Sequence, residues 1–324
     1  MTTHPAYRHA VLVHDTDEEL DRGVRAFVAR GLDAGADVLV HSTADHVDRM
    51  RRVLEPHPRL TFGLDEELYQ EPTHTLFAYQ RSLAERDEET GGRPLWVTGT
   101  VPLGRDLAEQ AAWHRYECAV DAALGAYPFV ALCTYDARTR PDFVIAAALA
   151  THSAVNVRRV ERRNPSYVAP AVFLATPLAA PPRAPTTAPT ATTVLRSSGD
   201  LATARDLVED VARRHSAVSG RTIEHLRVAV SEVVTNGLVH GRPPVRVAVW
   251  AELGRLTCLV EDSGRGGLDP MTGYPHPGEA RFLGLWAARQ LVDELVITDA
   301  RSGRAELGHS RAAGEPVTVS WLRT

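Results

Sequence analysis

The segment Val230-Ser-Glu-Val-Val-Thr-Asn-Gly-Leu-Val-His-Gly241 carries the most informative pattern in the chain. Its apolar residues recur at three- and four-residue steps, which predicts a helix over residues 222–239. On this helix Glu232 and Asn236 project side by side, and His240 follows one turn later. A carboxylate beside a carboxamide is suited to orienting a nucleophile and holding a metal ion, and a solvated helix edge is the alternative interpretation.

Two strands are predicted next, over 245–252 and 255–261, and the second runs into Asp262-Ser-Gly-Arg-Gly266. The glycines allow the backbone to bend closely around a planar ligand, while the carboxylate accepts a hydrogen bond from it. An exocyclic adenine amine fits that role. A loop rich in Gly and Pro follows over 267–279, and Leu283-Gly-Leu-Trp286 then opens a helix whose free amides are suited to receiving phosphate.

The composition restricts the chemistry of such a site, because all 36 basic residues are arginine and no lysine occurs. A P-loop of the G-x-x-x-x-G-K-[ST] kind, a eukaryotic-type protein kinase and a Schiff-base enzyme each need a lysine. A chain without lysine has to hold a triphosphate with backbone amides, arginine and a metal ion. The net charge of −5 also disfavours direct binding to nucleic acid.

The N-terminal half alternates short apolar runs with helical patterns, which predicts β-α units around a mostly parallel sheet. The predicted strands cover 9–14, 37–41, 94–101 and 129–135, and the predicted helices cover 17–34, 44–54, 75–85, 107–124 and 141–150. Where a nucleotide loop would follow the first strand, the chain reads Asp15-Thr-Asp-Glu-Glu19. This acidic segment predicts a helix N-cap, so the domain is a doubly wound α/β fold without a phosphate loop.

A segment rich in Pro, Ala and Thr over residues 164–193 has a composition that cannot pack a core. It predicts a domain over 1–160, a linker over 161–198 and a second domain over 199–324. No stretch approaches the roughly 18 apolar residues of a membrane span, and the N-terminus lacks a basic region followed by an apolar run. We therefore expect a cytoplasmic protein that does not bind membranes.

The cysteines Cys118, Cys133 and Cys258 are far apart, and each lies in an apolar run. They predict buried small side chains rather than a disulfide framework or a zinc site. Polar aromatic residues and histidines of the N-terminal half are candidates for a pocket at the carboxyl ends of the strands, with a purely structural role as the alternative for each. These residues are His14, His41, Trp113, His114, Tyr116, Tyr135 and His152.

The order of the C-terminal motifs resembles the GHKL (Bergerat-fold) ATPases, most closely the anti-sigma serine kinases of the RsbW and SpoIIAB kind. Over residues 195–322, Val230–Gly241 resembles the N box, Val260–Gly266 the first glycine box and Gly284–Asp293 the second. The resemblance implies that the cofactors are ATP and Mg²⁺. It implies that Asn236 ligates Mg²⁺, that Asp262 reads the adenine amine and that Glu232 is the base or orienter for the attacking hydroxyl. The remaining residues of the implied nucleotide site are His240, Gly264, Gly266, Gly284 and Leu285.

This resemblance implies an anti-sigma factor that phosphorylates a serine or threonine of an anti-anti-sigma (STAS) partner and sequesters a sigma factor. A second interpretation keeps ATP binding and sequestration without transfer, because bulky Phe282 stands two positions before Gly284, where the family carries another glycine. A third, a sensor histidine kinase, needs a phosphoacceptor histidine upstream, where this chain has the Pro-rich segment. Members of the family commonly dimerise through the ATPase domain, so a homodimer is one expectation.

The N-terminal half resembles MEDS-type sensory domains over residues 5–157. The resemblance is carried by residues 9–21, by Gly31-Leu-Asp-Ala-Gly-Ala-Asp-Val-Leu-Val40 and by Ala131-Leu-Cys-Thr-Tyr-Asp136. It implies an ATPase-like α/β fold with a degenerate P-loop that senses a small-molecule or protein signal and performs no catalysis.

Overall fold

The computed structural model divides into two compact units, Met1–Thr176 and Pro177–Thr324. The residues that it describes are 4, 6–69, 72–102, 107–158, 160–175, 185, 187–214, 219–252, 255–264, 271–274, 283–292, 294–299 and 317–323. Each unit is built around its own sheet. In the described part of the chain no helix is long and apolar enough to cross a membrane.

The first unit is an α/β fold around a seven-stranded sheet in the order β3-β2-β4-β5-β1-β6-β7. The strands are β1 (Arg8–His14), β2 (Asp37–Ser42), β3 (Leu60–Leu64), β4 (Leu95–Gly99), β5 (Phe129–Asp136), β6 (Ala154–Val157) and β7 (Val160–Arg163). The helices are α1 (Asp17–Asp33), α2 (Ala44–Val53), α3 (Asp65–Leu68), α4 (Pro72–Thr90), α5 (Leu107–Leu124), α6 (Asp142–Thr151) and α7 (Pro170–Ala175). Neighbouring strands are parallel except β6 and β7, which confirms the predicted mostly parallel sheet.

The two faces of this sheet differ because successive side chains of a strand point to opposite sides. Ala10 and Leu12 of β1 pack with Phe27 of α1 in one apolar core. His9 and Cys133 instead contact Glu117 of α5. The acidic segment before α1 is a helix cap as predicted: the hydroxyl of Thr16 accepts a hydrogen bond from the backbone N–H of Glu19 at 3.2 Å.

The second unit is an α/β sandwich with a mixed sheet in the order β11-β12-β10-β9-β8. Its strands are β8 (Ala191–Leu195), β9 (Val245–Glu252), β10 (Arg255–Asp262), β11 (Glu294–Asp299) and β12 (Val317–Arg323), and its helices are α8 (Leu201–Arg214), α9 (Gly220–Val239) and α10 (Leu283–Leu291). Strands β8, β9 and β10 are antiparallel, whereas β12 lies parallel to both β10 and β11. One core joins all three helices to the sheet, with Val208, Leu226 and Leu285 among its buried residues.

The structure shortens the linker predicted over 161–198, because both ends of that range pair or pack locally. Strand β7 continues the first sheet beside β6, and Phe173 of α7 packs against Cys118 and Ala147. At the other end, β8 pairs with β9 of the second sheet. A Pro-rich composition does not exclude short edge strands, since an edge strand needs partners on one side only.

Asp65, at the start of α3, is an ionisable group whose burial should make the stability of the first unit depend on pH. Its Oδ1 atom is buried and has no hydrogen-bond partner among the described residues, and burial raises the pKa of the carboxyl from 3.8 to about 7. Below the unfolded pKa both states are neutral, so burial has no electrostatic cost. As the pH rises towards the folded pKa, the unfolded state ionises first, and stability is lost.

The side chain of Asp65→Asn stays neutral at every pH. We therefore expect the difference in unfolding free energy between this variant and the wild type to grow in favour of the variant by on the order of 2 kcal/mol from pH 5 to pH 8. Urea denaturation of both proteins at the two pH values measures this difference, in which the other ionisations cancel. A difference that is the same at both pH values would contradict the assignment.

Candidate functional site

Helix α9 positions the two polar residues that the sequence singles out. Ser219 caps its N-terminus, where the hydroxyl accepts a hydrogen bond from the backbone N–H of Thr222 at 3.1 Å. The predicted apolar stripe is buried in the core of the second unit; it consists of Ile223, Leu226, Val230 and Val233. Packing of this stripe fixes the rotation of the helix about its axis. Glu232 and Asn236, which are four residues apart, therefore lie on the same side of α9, next to its buried face.

The edge of α9 is not a solvated surface, because the start of α10 lies against it. Glu232 and Asn236 are both half-buried. A β-carbon added at Gly284 would overlap Oε2 of Glu232 and would lie 3.2 Å from its Cδ. Only a glycine at this position allows the backbone at the start of α10 to approach the Glu232 carboxylate so closely.

The end of β10 brings a buried carboxylate to the same region. Asp262 is 2% exposed, and its Oδ1 accepts hydrogen bonds from the backbone N–H groups of Gly264 at 2.7 Å and Arg242 at 3.3 Å. A β-carbon on Gly241 would lie 2.5 Å from Oδ1 of Asp262 and would overlap the backbone oxygen of Gly237. The C-terminal end of α9 therefore packs directly on the Asp262 carboxylate.

Asn236 carries a buried polar atom that calls for a ligand. Its Nδ2 has no hydrogen-bond partner in the part of the chain that the structure describes. A buried amide left unpaired costs about 1–3 kcal/mol, so such a group usually serves a bound molecule or ion. The amide is able to turn its oxygen to the same position, and an amide oxygen one turn from a carboxylate is a donor set that suits Mg²⁺.

The other predicted nucleotide residues take different positions. Gly264 is buried two residues after Asp262. Leu285 is 2% exposed in the apolar core, so only its backbone amide is available to a ligand. His240 is the exposed C-cap of α9, and its backbone N–H donates to the carbonyl of Asn236 at 2.9 Å. Gly266 and Phe282 lie outside the described residues.

Two residues at this site were not predicted from the sequence, Gly241 and Arg289. Arg289 of α10 connects the helix to the described part of the Gly- and Pro-rich loop: its guanidinium carbon lies 4.3 Å from the ring centroid of Tyr274, and Nη2 donates to the carbonyl of Thr272 at 3.3 Å. Its Nη1 donates to the carbonyl of Leu295. Because the chain has no lysine, its arginines are the cations available to a triphosphate, and that absence is the signal that could have drawn attention to Arg289.

In the first unit, ring contacts link several of the predicted pocket residues. His41 and Trp113 each contact the ring of Tyr69, and Trp113 contacts Tyr116, with ring centroids 5.3 to 6.3 Å apart. Tyr135 lies 6.1 Å from His152 by the same measure. Burial lowers the pKa of His14 and His41, and it lowers the pKa of His114 to about 4. These three histidines are therefore neutral at physiological pH.

Comparison with known proteins assigns a domain type to each unit. The model of the family MEDS, "MEthanogen/methylotroph, DcmR Sensory domain", matches residues 8–153, and the model "Histidine kinase-like ATPase domain" matches residues 196–307. No curated protein matches the chain. Both matched ranges lie inside the resemblances seen in the sequence. The chain thus consists of an N-terminal MEDS sensory domain and a C-terminal histidine kinase-like ATPase domain.

Proposed function

We propose that the chain is an ATP-dependent regulatory switch, in which the C-terminal domain binds Mg²⁺-ATP and phosphorylates a serine or threonine of an anti-anti-sigma (STAS) partner. In this proposal the same domain sequesters a sigma factor, and the MEDS domain responds to a signal. The observation that carries it is that, in an ATPase-type domain, helix α9 is approached by the start of α10 at Glu232 and packs its C-terminal end, just after Asn236, on Asp262.

Each residue has a distinct role in the proposed reaction. Asp262 would accept a hydrogen bond from the exocyclic amine of adenine. Asn236 would hold Mg²⁺, which supplies neutralisation of the triphosphate charge, and the N-terminal amides of α10 would receive the phosphates. Glu232 would orient the partner's hydroxyl and accept its proton. Phosphoryl transfer depends mostly on positioning and charge neutralisation, so this set suffices without lysine.

Two other functions make different demands on the chain. A switch that binds ATP and its partners without transferring phosphate needs the same contacts with the nucleotide. It does not need Glu232 to orient a hydroxyl or to accept a proton. A sensor histidine kinase needs a phosphoacceptor histidine before the ATPase domain, and the sequence contains no histidine between residues 153 and 214. This absence disfavours the histidine kinase.

Mixing the purified full-length chain with Mg²⁺, ATP labelled on its γ-phosphate and candidate STAS proteins tests the proposal. We expect saturable ATP binding and transfer of label to one STAS protein, but not to a variant of that protein with alanine at its acceptor hydroxyl. Binding without transfer would select the switch without kinase activity. A failure to bind ATP would contradict both functions.

A further inference from the structure

Four buried side chains of the sensory domain direct their donor atoms to one position. They are His9 of β1, Glu117 of α5, Cys133 of β5 and His152, which follows α6. None is more than 8% exposed, and one donor atom from each lies within 4.8 Å of all the others. Two imidazoles, a thiol and a carboxylate are all common metal ligands, so their convergence in a buried position calls for an explanation.

Four of the six distances between the donor atoms are close to the edges of a tetrahedron around a zinc ion, and the other two are within 4.8 Å. Metal bonds of about 2.0 Å to nitrogen or oxygen and about 2.3 Å to sulfur give edges of about 3.3 Å between two nitrogen or oxygen ligands and about 3.5 Å between one of these and sulfur. Glu117 Oε2 lies 3.2 Å from Nε2 of His9 and 3.3 Å from Nε2 of His152. The sulfur of Cys133 lies 3.6 Å from Nε2 of His9 and 3.8 Å from the same carboxylate oxygen.

Hydrogen-bond partners outside the cluster hold His9, His152 and Glu117 in the orientation that a metal requires. His9 Nδ1 lies 3.0 Å from Asp121 Oδ1, and His152 Nδ1 lies 2.7 Å from the carbonyl of Ala148. A carbonyl or a carboxylate at Nδ1 places the proton there and leaves the lone pair of Nε2 directed at the common position. The second carboxylate oxygen of Glu117 accepts a hydrogen bond from the hydroxyl of Tyr135 at 3.1 Å.

A second observation shows that the position is incompletely satisfied by protein atoms. His152 is fully buried, and its Nε2 lies 3.3 Å from Oε2 of Glu117 but has no hydrogen-bond partner among the described residues. His9, Glu117 and Cys133 also line a cavity of about 20 Å³. A cavity of this size has room for a water molecule or a single ion.

We propose that His9, Glu117, Cys133 and His152 form a four-coordinate site for Zn²⁺ or a divalent metal of similar chemistry. Two imidazoles, a thiolate and a carboxylate are a donor set that suits Zn²⁺. On binding, the Cys133 thiol loses its proton to solvent, and the metal–sulfur bond replaces the S–H bond. Because the ligands belong to separate elements, the ion connects β1, β5, α5 and the α6–β6 junction.

Titration of the full-length chain with Co²⁺, after removal of metal by a chelator and without nucleotide, tests the site. We expect one Co²⁺ ion per chain, absorption bands of tetrahedral cobalt and a sulfur-to-cobalt charge-transfer band in the near ultraviolet. Zn²⁺ should displace Co²⁺ and raise the thermal unfolding temperature of the chelator-treated protein. If the wild-type chain binds no Co²⁺ or Zn²⁺, the four residues instead form a proton-bridged cluster and the proposal fails.

Variants assign the ligands individually. His152→Ala should weaken Co²⁺ binding by at least roughly 100-fold, and Asp121→Asn, which alters the support of His9, by about 10- to 100-fold. Cys133→Ser is nearly isosteric and should lose the charge-transfer band.

Cys118→Ala is the matched control, because this buried thiol packs with Ala147 and Phe173 and its sulfur lies 3.4 Å from the carbonyl of Pro170. Loss of the band in Cys118→Ala, or its retention in Cys133→Ser, would overturn the assignment.

Discussion

Asp262→Asn is expected to abolish the binding of adenine nucleotides while leaving the ATPase domain folded. The asparagine oxygen can still accept the hydrogen bonds that Oδ1 receives from Gly264 and Arg242, so the turn after β10 is retained. The other carboxylate oxygen becomes an NH₂ group, which would oppose the exocyclic amine of adenine, donor against donor. In a buried site this mismatch should weaken ATP binding by roughly 100-fold or more.

Calorimetric titration with ATP and with GTP measures the effect. Guanine has a carbonyl oxygen where adenine has its amine, so the ratio of ATP affinity to GTP affinity should fall in the variant. Glu261→Gln is the matched control, since it makes the same change of charge one residue earlier on β10, where Glu261 pairs with Arg246 at 3.0 Å. Unchanged ATP affinity in Asp262→Asn would remove Asp262 from the site.

Asn236→Ala provides the complementary measurement. In the proposed function the side chain of Asn236 holds Mg²⁺ and does not contact adenine, so its loss should mainly remove the part of the ATP affinity that depends on Mg²⁺. Titrations with and without Mg²⁺ separate the two contributions. Equal sensitivity to Mg²⁺ in the variant and the wild type would contradict the assignment.

The positions of Glu232, Asn236 and Asp262 on their helix and strand could be predicted from the sequence because this information is local. Glu232 and Asn236 are one helical turn apart, and Asp262 ends an apolar strand, so spacing alone places each side chain on its element. The contact of Gly241 with Asp262 could not be predicted, because it depends on how the end of α9 packs on β10. Strands β8, β11 and β12 were missed for a related reason, since pairing partners distant in sequence stabilise them.

The buried donor cluster of the sensory domain shows the limit of sequence patterns most clearly. The prediction that Cys118, Cys133 and Cys258 are buried and free is confirmed. The surroundings of Cys133 nevertheless differ from those of an ordinary core residue, because its sulfur contacts the imidazole of His9 on the neighbouring strand and the carboxylate of Glu117 on α5. Its partners are distant in the sequence, and no short motif connects them.

Glu232→Gln is expected to eliminate most phosphoryl transfer to the STAS partner while ATP binding is retained. Glutamine has the shape of glutamate, so its contact with Gly284 and the start of α10 is kept, but it cannot accept a proton from the attacking hydroxyl. Loss of a general base lowers a rate by about 10²- to 10⁴-fold. The affinity for ATP should stay the same or rise, since a negative charge near the triphosphate is removed.

The rate of label transfer at saturating ATP, measured beside the ATP affinity, separates a role of Glu232 in transfer from a role in binding. Glu224→Gln is the control, because this residue lies on the same helix with its side chain 63% exposed and pairs with Arg227 at 3.2 Å. An unchanged transfer rate in Glu232→Gln would show that the proton leaves by another route. A loss of ATP affinity equal to the loss of rate would instead make Glu232 a binding residue, because the defect would then arise before the chemical step.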